Sequence, residues 1–140
     1  MSDSDCIFCG IIAGVVPGEI VDSDDHTVAF MDINPATRGH ALVIPRTHAE
    51  NLFDVEEGDL LATVTAARRL AARMRETIEP DGVNVLNSTG RAAWQSVFHF
   101  HLHVIPRYDD DPLRLPWIPG PADPAQLAQV AVELRGDGVR

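Results

Sequence analysis

The sequence has little positive charge. Its 11 lysine and arginine residues stand against 21 aspartate and glutamate residues, which gives a formal net charge of −10. Because the phosphate backbone of a nucleic acid selects basic surfaces, this balance argues against nucleic-acid binding. It also means that any anionic ligand must be held by a local site, against the overall field of the protein.

Long apolar stretches are also missing. No run approaches the roughly 18 apolar residues that a membrane-spanning helix requires. The first five residues are acidic and lack the basic and then apolar order of a secretion signal. We therefore expect no membrane partner and a cytoplasmic location.

Cysteine is scarce, with only Cys6 and Cys9 in the sequence. Two cysteines without an export signal are typical of a reducing compartment. Their C-x-x-C spacing is found in zinc sites and in redox pairs, but nothing before Cys6 has the strand pattern that usually precedes a redox motif. A zinc site needs two further ligands, for which histidines are the natural candidates. On these grounds a zinc site and two free thiols both remain open.

Length and patterning predict one domain, residues 1–140. A short N-terminal helix capped by Ser4 or Asp5 comes first. A long helix runs from about Asp59 to Glu79 and is ended by Pro80, and its apolar stripe consists of Leu60, Val64, Ala67, Ala71, Met74 and Ile78. The predicted strands are 19–22, 27–32, 40–46, 82–87 and 99–107.

The core of the domain is predicted at about 6–108, and a proline-rich tail with a C-terminal helix follows at 109–140. Asp123 is the expected cap of that helix, Pro124 its first residue and Gly136 its end. Its predicted buried side consists of Leu127, Val130, Ala131 and Leu134.

Three of the six histidines lie within five residues. With the period of two that a strand imposes, His99, His101 and His103 share one face, and the opposite face holds Phe98, Phe100, Leu102 and Val104. Two adjacent imidazoles can share a metal. Alternatively, a neutral imidazole, with an unperturbed pKa of about 6.5, is a good nucleophile that its neighbours can orient or supply with protons. Exposed histidines without a role are the third interpretation.

These histidines lie in a segment that resembles the signature of the histidine triad (HIT) family of nucleotidyl hydrolases and transferases. Further stretches resemble Hint-like members of the family, including bacterial ones, in order and spacing, and the similarity covers residues 6 to about 108. They are 6–12, 30–33, 39–48, Asn87 and 95–98. The resemblance implies an α+β fold with a five-stranded, mostly antiparallel sheet, a long packing helix and a short N-terminal helix.

The resemblance also implies roles for individual residues. His101 would attack the α-phosphorus and form a covalent nucleotidyl-histidine that water hydrolyses, His103 would contact the phosphate and assist the leaving group, and His40 would lie under the nucleophile. The remaining implied nucleotide contacts are Gln95, Ser96 and Asn87 at the phosphate, Asp32 at the ribose, and Ile7, Phe8, Ile11, Phe30 and Ile33 around the purine, where an ordinary core is the competing interpretation.

Some bacterial-type members of the family bind a structural zinc ion, and the ligands that the resemblance implies here are Cys6, Cys9, His48 and His99. No organic cofactor is implied. HIT proteins are commonly homodimers, with the long helix and a strand at the interface. Trp94 departs from the family pattern, because glycine often occupies this place.

Several functions are compatible with this resemblance. Hydrolysis of a nucleoside phosphoramidate, as in Hint-type proteins, is the first. Hydrolysis of dinucleoside polyphosphates, as in the Fhit branch, is the alternative. A purine-nucleotide-binding protein without catalysis is a hypothesis of another class, and a metal-dependent hydrolase that uses His99 and His101 as ligands is a further one.

Overall fold

The computed structural model describes residues 5–136, and five strands form one sheet at its centre. The strands lie side by side in the order β1-β2-β3-β5-β4, and every neighbouring pair is antiparallel. Together with the helices this confirms the predicted α+β class. The strands are β1 (Ile20–Ser23), β2 (Thr27–Met31), β3 (Ala41–Pro45), β4 (Gly82–Leu86) and β5 (Leu102–Arg107).

Helix α2 (Glu57–Thr77) covers one face of the sheet. It begins two residues before the predicted start and ends at Thr77, before Pro80. Glu79, between them, has a left-handed φ of +50°. The predicted stripe was wrong at Val64, which is 49% exposed, whereas Leu70 and Thr63 are buried. Thr63 tolerates burial because its hydroxyl donates to the carbonyl oxygen of Asp59 at 2.7 Å.

The short helix α1 (Ile7–Ile12) lies on the opposite face, where Phe8 and Ile11 pack with apolar residues of β2 and β3. Its N-cap is Cys6, whose sulfur accepts the backbone N–H of Cys9 at 3.3 Å. The predicted cap at Asp5 was therefore wrong, and Ser4 lies outside the described residues.

Arginines of α2 attach this helix to the first hairpin. Arg69 donates to the carboxylates of Asp22 and Asp24 at 2.8 and 2.9 Å, and Arg73 donates to the carbonyl oxygen of Val21 at 3.1 Å. The basic side of α2 is thus partly engaged with β1, although exposed ion pairs of this kind contribute little to stability.

The histidine segment enters the sheet later than predicted. β5 begins at Leu102, because the N–H of Phe100 donates to the carbonyl oxygen of Ala49 and the carbonyl oxygen of His101 accepts from the Asn87 side chain. The alternation nevertheless persists: Phe100, Leu102 and Val104 are buried in the core under α2. Phe98 is not among these core residues, and the guanidinium of Arg91 lies 5.0 Å from the centre of its ring.

The C-terminal helix α3 (Pro124–Arg135) begins as predicted, with the Asp123 carboxylate accepting from the N–H of Ala125. Its predicted buried side was wrong, since Leu127, Val130 and Leu134 are all exposed. No helix within residues 5–136 is both long and apolar enough to cross a bilayer.

Candidate active site

His101 is held in one tautomer by the backbone. Its Nδ1 lies 2.7 Å from the carbonyl oxygen of His99, and because a carbonyl only accepts, Nδ1 must carry the proton. The lone pair is therefore on Nε2. The residue is 5% exposed, and the ring of Phe8 lies nearly perpendicular to that of His101, at 5.2 Å between centroids. Burial lowers the pKa of His101, so the ring is neutral and nucleophilic at neutral pH.

The sheet brings His103 and His40 together on the same face. Leu42 on β3 pairs with His103 on β5, and His40 lies two residues before Leu42 and so projects to the same side. The Nε2 of His40 is 2.9 Å from the Nδ1 of His103. The ring centroids of His101 and His103 are 5.0 Å apart.

The shared apolar surroundings keep these rings neutral. Burial, followed by the neighbouring His101 and His40, lowers the pKa of His103 to about 4. Burial also lowers the pKa of His40, while the Asp32 carboxylate acts in the opposite direction. The resemblance places His40 under the nucleophile, but its hydrogen bonds are to His103 and to the backbone N–H of Ala36, at 2.9 Å each.

Asn87 fixes the backbone of the histidine segment. Its side-chain amide donates to the carbonyl oxygen of His101 at 3.0 Å, and its oxygen accepts the hydroxyl of Thr89 at 2.6 Å. Sequence reasoning missed this anchoring role. An asparagine directly after a predicted strand is a weak sequence signal for such a role, and it does not identify the carbonyl group that the side chain reaches.

Gln95 closes the loop that precedes the histidines. Its oxygen accepts the N–H of Gly90, and its amide donates to the carbonyl oxygens of Glu50 and Val97. The side chain is buried, whereas the adjacent Ser96 is exposed. Both amide hydrogens of Gln95 thus have protein acceptors, and its contact with phosphate stays a prediction, as do those of Asn87 and Ser96.

The two cysteines meet two histidines at the start of this segment. The Nδ1 of His99 lies 3.3 Å from the sulfur of Cys6 and 3.5 Å from that of Cys9, and the Nδ1 of His48 lies 3.5 Å from the sulfur of Cys9. All four ligand atoms lie within 4.8 Å of one another. Zinc bonds of about 2.3 Å to sulfur and 2.05 Å to nitrogen place the two atoms about 3.6 Å apart in a tetrahedron.

The protonation of His99 also suits a metal. Its Nε2 lies 2.9 Å from the carbonyl oxygen of Pro45 and therefore carries the proton, which leaves the lone pair of Nδ1 directed at the cysteines. The four side chains thus fit a structural Cys₂His₂ zinc ion in spacing and in chemistry.

A family model described as HIT domain matches residues 13–110. The chain belongs to the histidine triad (HIT) family. Among the relatives of this HIT protein, protein hit of Bacillus subtilis is 48% identical over 103 residues, 74% of this chain and 71% of that protein. HIT proteins are in general nucleotide-binding hydrolases and transferases.

Two solved structures extend the similarity of this HIT protein to three dimensions. A histidine triad nucleotide-binding protein from Candida albicans has a TM-score of 0.83 and 32% identity, over 93% of this chain and 94% of that chain. A Zn-bound histidine triad family protein from Mycobacterium smegmatis has a TM-score of 0.77 and 35% identity, over 93% of this chain and 98% of that chain.

Trp94 adopts a backbone conformation that favours glycine. Its φ is +76° and ψ +18°, directly after a 3₁₀ turn at Arg91–Ala93, and its side chain is 69% exposed. A left-handed residue that is not glycine costs about 1–2 kcal/mol. The turn therefore favours glycine at this position, and this chain adopts it with a tryptophan despite the strain.

The predicted purine-pocket residues of this HIT protein fall into two groups. Phe8, Ile11 and Phe30 are buried and belong to the core around α1, whereas Ile7 and Ile33 are 48% and 84% exposed. The Asp32 carboxylate lies 3.4 Å from the Nε2 of His40. The structure therefore brings Asp32 to the histidines, and the contacts of all these residues with a nucleotide stay predictions.

Proposed function

We propose that this HIT protein hydrolyses nucleoside phosphoramidates, or related nucleoside 5′-phosphate derivatives, through a covalent nucleotidyl intermediate on His101. The Nε2 lone pair attacks the α-phosphorus and the bond from phosphorus to the leaving amine breaks. His103 passes one proton to the amine and takes one up from solvent, so that its ring stays neutral. Water then attacks the same phosphorus, the bond to His101 breaks, and a nucleoside monophosphate leaves.

The hydrogen bond between His101 and the carbonyl oxygen of His99 carries this proposal. It holds the lone pair on Nε2, so that the nucleophile needs no prior deprotonation. The low pKa of the buried ring keeps that lone pair available at neutral pH. A donor aimed at the developing phosphate charge lowers the barrier by about 3 kcal/mol, and the exposed hydroxyl of Ser96 is our candidate for that role.

Zinc bound by Cys6, Cys9, His48 and His99 has a structural role in this proposal. When bound, it supplies a rigid link between α1 and the histidine segment rather than a catalytic group. His99 provides both a candidate ligand and the carbonyl oxygen that orients His101. A firmly held His99 therefore supports the tautomer of the nucleophile.

Asp32 is proposed to accept the ribose hydroxyls. Its side chain is 17% exposed and lies beside His40, at the end of β2. The exposed Ile7 and Ile33 are proposed to cover the purine, and the buried Phe8, Ile11 and Phe30 to support its pocket from below. The preference for one purine base over another then depends on these residues, which a bound base would cover.

A homodimer is proposed through α2 and β4. Leu61 and Val64 on α2 are 58% and 49% exposed, and Val85 on β4, at the edge of the sheet, is 51% exposed. Apolar groups on a helix and an open strand edge suit burial against another subunit. Light scattering should give twice the chain mass for the wild type, and Val64→Glu should shift it to the monomer; a monomeric wild type contradicts the dimer.

Turnover of adenosine 5′-phosphoramidates and trapping of the intermediate test the function. We expect hydrolysis by the wild type and an adenylyl adduct on His101 in quenched reactions, detected by mass spectrometry. His101→Ala should lose both. His26→Ala is the matched control, because His26 lies in the exposed turn before β2 and, within residues 5–136, only its backbone makes hydrogen bonds.

Three results would contradict the proposal. Undiminished turnover by His101→Ala would refute the covalent mechanism. A preference of many-fold for dinucleoside polyphosphates would favour the Fhit-type alternative. Binding of adenosine monophosphate without turnover of either substrate would indicate a nucleotide-binding protein without catalysis.

A further inference from the structure

We infer that Cys6 and Cys9 form an oxidation site, at which a peroxide joins the two sulfurs in a disulfide and so releases the zinc ion that they share with His48 and His99. A change in redox conditions would thereby remove the structural metal. The inference does not depend on the proposed function, because it concerns only the ligand side chains and their sulfur chemistry.

The two sulfurs already lie close together. Both approach the Nδ1 of His99, at 3.3 Å from Cys6 and 3.5 Å from Cys9. The sulfur of Cys6 also accepts the backbone N–H of Cys9 at 3.3 Å, and the two sulfurs lie within 4.8 Å of each other. A sulfur–sulfur bond of about 2.05 Å therefore requires only a short movement.

Cys6 can make this movement without unwinding α1. It is the N-cap residue, and its φ of −85° and ψ of 117° are extended rather than helical. Side chains three residues apart on a helical turn have Cβ atoms about 5–6 Å apart, whereas a disulfide needs about 3.5–4.5 Å. Rotation of Cys6 closes this difference, while Cys9 stays in the first turn of the helix.

Helix α1 has anchors that do not involve sulfur. Phe8 and Ile11 are buried in the core, and the ring centroid of Phe8 lies 5.9 Å from that of His99. The N–H of Gly10 donates to the carbonyl oxygen of Cys6 at 3.0 Å. The helix therefore keeps both cysteines in place when the metal is lost, and the oxidised chain should remain folded.

The two cysteines differ in their access to solvent. Cys6 is 4% exposed, whereas Cys9 is half-buried. The oxidation of a cysteine follows its exposure and its thiolate character, and both sulfurs are thiolates when they bind zinc. Cys9 therefore meets the oxidant first. Cys6 then reacts with the oxidised Cys9, and its burial protects it from reaction with another chain.

An open cleft borders the zinc ligands on the side of His48. Its volume is about 280 Å³, and it is lined by His48, Ala49, Glu50 and Asp54. The Nδ1 of His48 lies 3.5 Å from the sulfur of Cys9. Two of the lining residues are acidic and the chain has a formal net charge of −10, so a small uncharged oxidant approaches more readily than an anionic one. Hydrogen peroxide has these properties.

The reaction has two steps. The Cys9 thiolate attacks one oxygen of hydrogen peroxide, the oxygen–oxygen bond breaks, and Cys9 becomes a sulfenic acid while hydroxide leaves. The Cys6 thiolate then attacks the Cys9 sulfur, the sulfur–oxygen bond breaks, and a second hydroxide leaves. The sulfurs lose two electrons, which the peroxide gains, and two protons from solvent convert the hydroxides to water. The neutral disulfide no longer binds zinc, and two histidines alone do not complete its tetrahedral site.

Treatment of the zinc-loaded full chain with hydrogen peroxide tests the inference. A chromogenic chelator follows zinc release, and a thiol reagent counts the remaining thiols after denaturation. We expect one disulfide for each zinc ion released. The tryptic peptide that ends at Arg38 contains both cysteines and should be lighter by two hydrogens. Dithiothreitol with added zinc should restore both thiols and the metal.

Cys9→His separates disulfide formation from a general loss of zinc under peroxide. It keeps four candidate ligands but only one sulfur, which is buried, so zinc release should be at least about 10-fold slower than in the wild type. His26→Ala, which changes no candidate ligand, should release zinc at the wild-type rate. Equal rates for Cys9→His and the wild type would overturn the inference.

The wild type decides the matter if Cys9→His does not bind zinc. Retention of zinc and of both thiols, at a peroxide concentration that oxidises an equal amount of glutathione, would overturn the inference. A disulfide between two chains, or a sulfinic acid on either cysteine in place of the disulfide, would also overturn it. A wild type that binds no zinc would overturn the release of the metal.

Discussion

Replacing Gly39 by alanine is expected to destabilise the fold and disturb His40, which directly follows it. Gly39 has a φ of +93°, which costs a residue with a Cβ about 1–2 kcal/mol. The added Cβ would lie 2.6 Å from the terminal Cδ1 of Ile78 and 3.1 Å from a ring carbon of Pro106. Overpacking of this kind costs about 1–3 kcal/mol, and the lower unfolded-state entropy of alanine returns about 0.4–1 kcal/mol.

We therefore expect Gly39→Ala to lower the free energy of unfolding by about 1–4 kcal/mol. The lower end applies if the terminal methyl of Ile78 rotates away, since the ring of Pro106 has no such freedom. Equilibrium urea unfolding at fixed zinc concentration measures the loss, because bound zinc contributes to apparent stability. Turnover should also fall, since the ring of His40 is buried and bonded through both nitrogens.

Two other glycines separate the cost of backbone strain from the cost of overpacking. Gly14 also has a positive φ, +79°, but a Cβ added there would meet no atom within 4 Å beyond its chain neighbours, so Gly14→Ala isolates backbone strain. Gly58 lies in α2 with neither feature, and Gly58→Ala should stabilise by about 0.5–1 kcal/mol. The reasoning fails if Gly39→Ala is no less stable than Gly14→Ala, because the contacts with Ile78 and Pro106 would then have no cost.

Three further predictions concern the site. Asn87→Ala removes the hydrogen bond to the carbonyl oxygen of His101, so it should lower the free energy of urea unfolding by about 1–2 kcal/mol and reduce turnover. The control Asn84→Ala, at an exposed position, should change that free energy by less than about 0.5 kcal/mol. Equal effects of the two substitutions would contradict the anchoring role of Asn87. Cys9→Ser should lose zinc by metal analysis and lower the free energy of unfolding by at least about 3 kcal/mol; full zinc retention would argue against the site. The pKa of His103 is lowered from 6.5 to about 4, so below pH 6.5 the unfolded state binds a proton that the native state does not. Stability should therefore fall as the pH decreases from 6.5 towards 4, and His103→Gln should flatten this fall in urea midpoints; an identical pH dependence in both proteins would contradict it.

The period of two predicted the faces of the histidine segment although it placed the start of the strand too early. Alternation needs only an extended backbone, and residues 99–101 are bonded to Ala49 and Asn87 rather than to a neighbouring strand. Partners of this kind come from distant parts of the chain. A local pattern therefore predicts which side chains share a face, but not where ladder pairing begins.

The helices show a second limit of prediction from sequence patterns, which concerns the residues that are buried. A stripe drawn from apolar residues alone included Val64 and omitted Thr63, which is fully buried because its hydroxyl is satisfied within the helix. On α3 the large apolar residues are exposed and Ala131 is half-buried, so the hydrophobic pattern predicted a face of the helix without showing that another element covers it. Burial depends on neighbouring elements, and the helix sequence does not contain them.

The histidines differ in which ring nitrogen carries the proton, and this difference shows why residue types alone leave the chemistry of the site undetermined. His99, His101 and His103 have the same side chain, yet the carbonyl oxygens of Pro45 and His99 and the N–H of Ala36, relayed through His40, put their protons on different nitrogens. The main chain makes these hydrogen bonds, so they do not depend on the side chain of the residue that supplies them. The roles proposed for these three histidines, metal ligand, nucleophile and proton donor, can therefore differ because the fold places a different backbone group beside each ring.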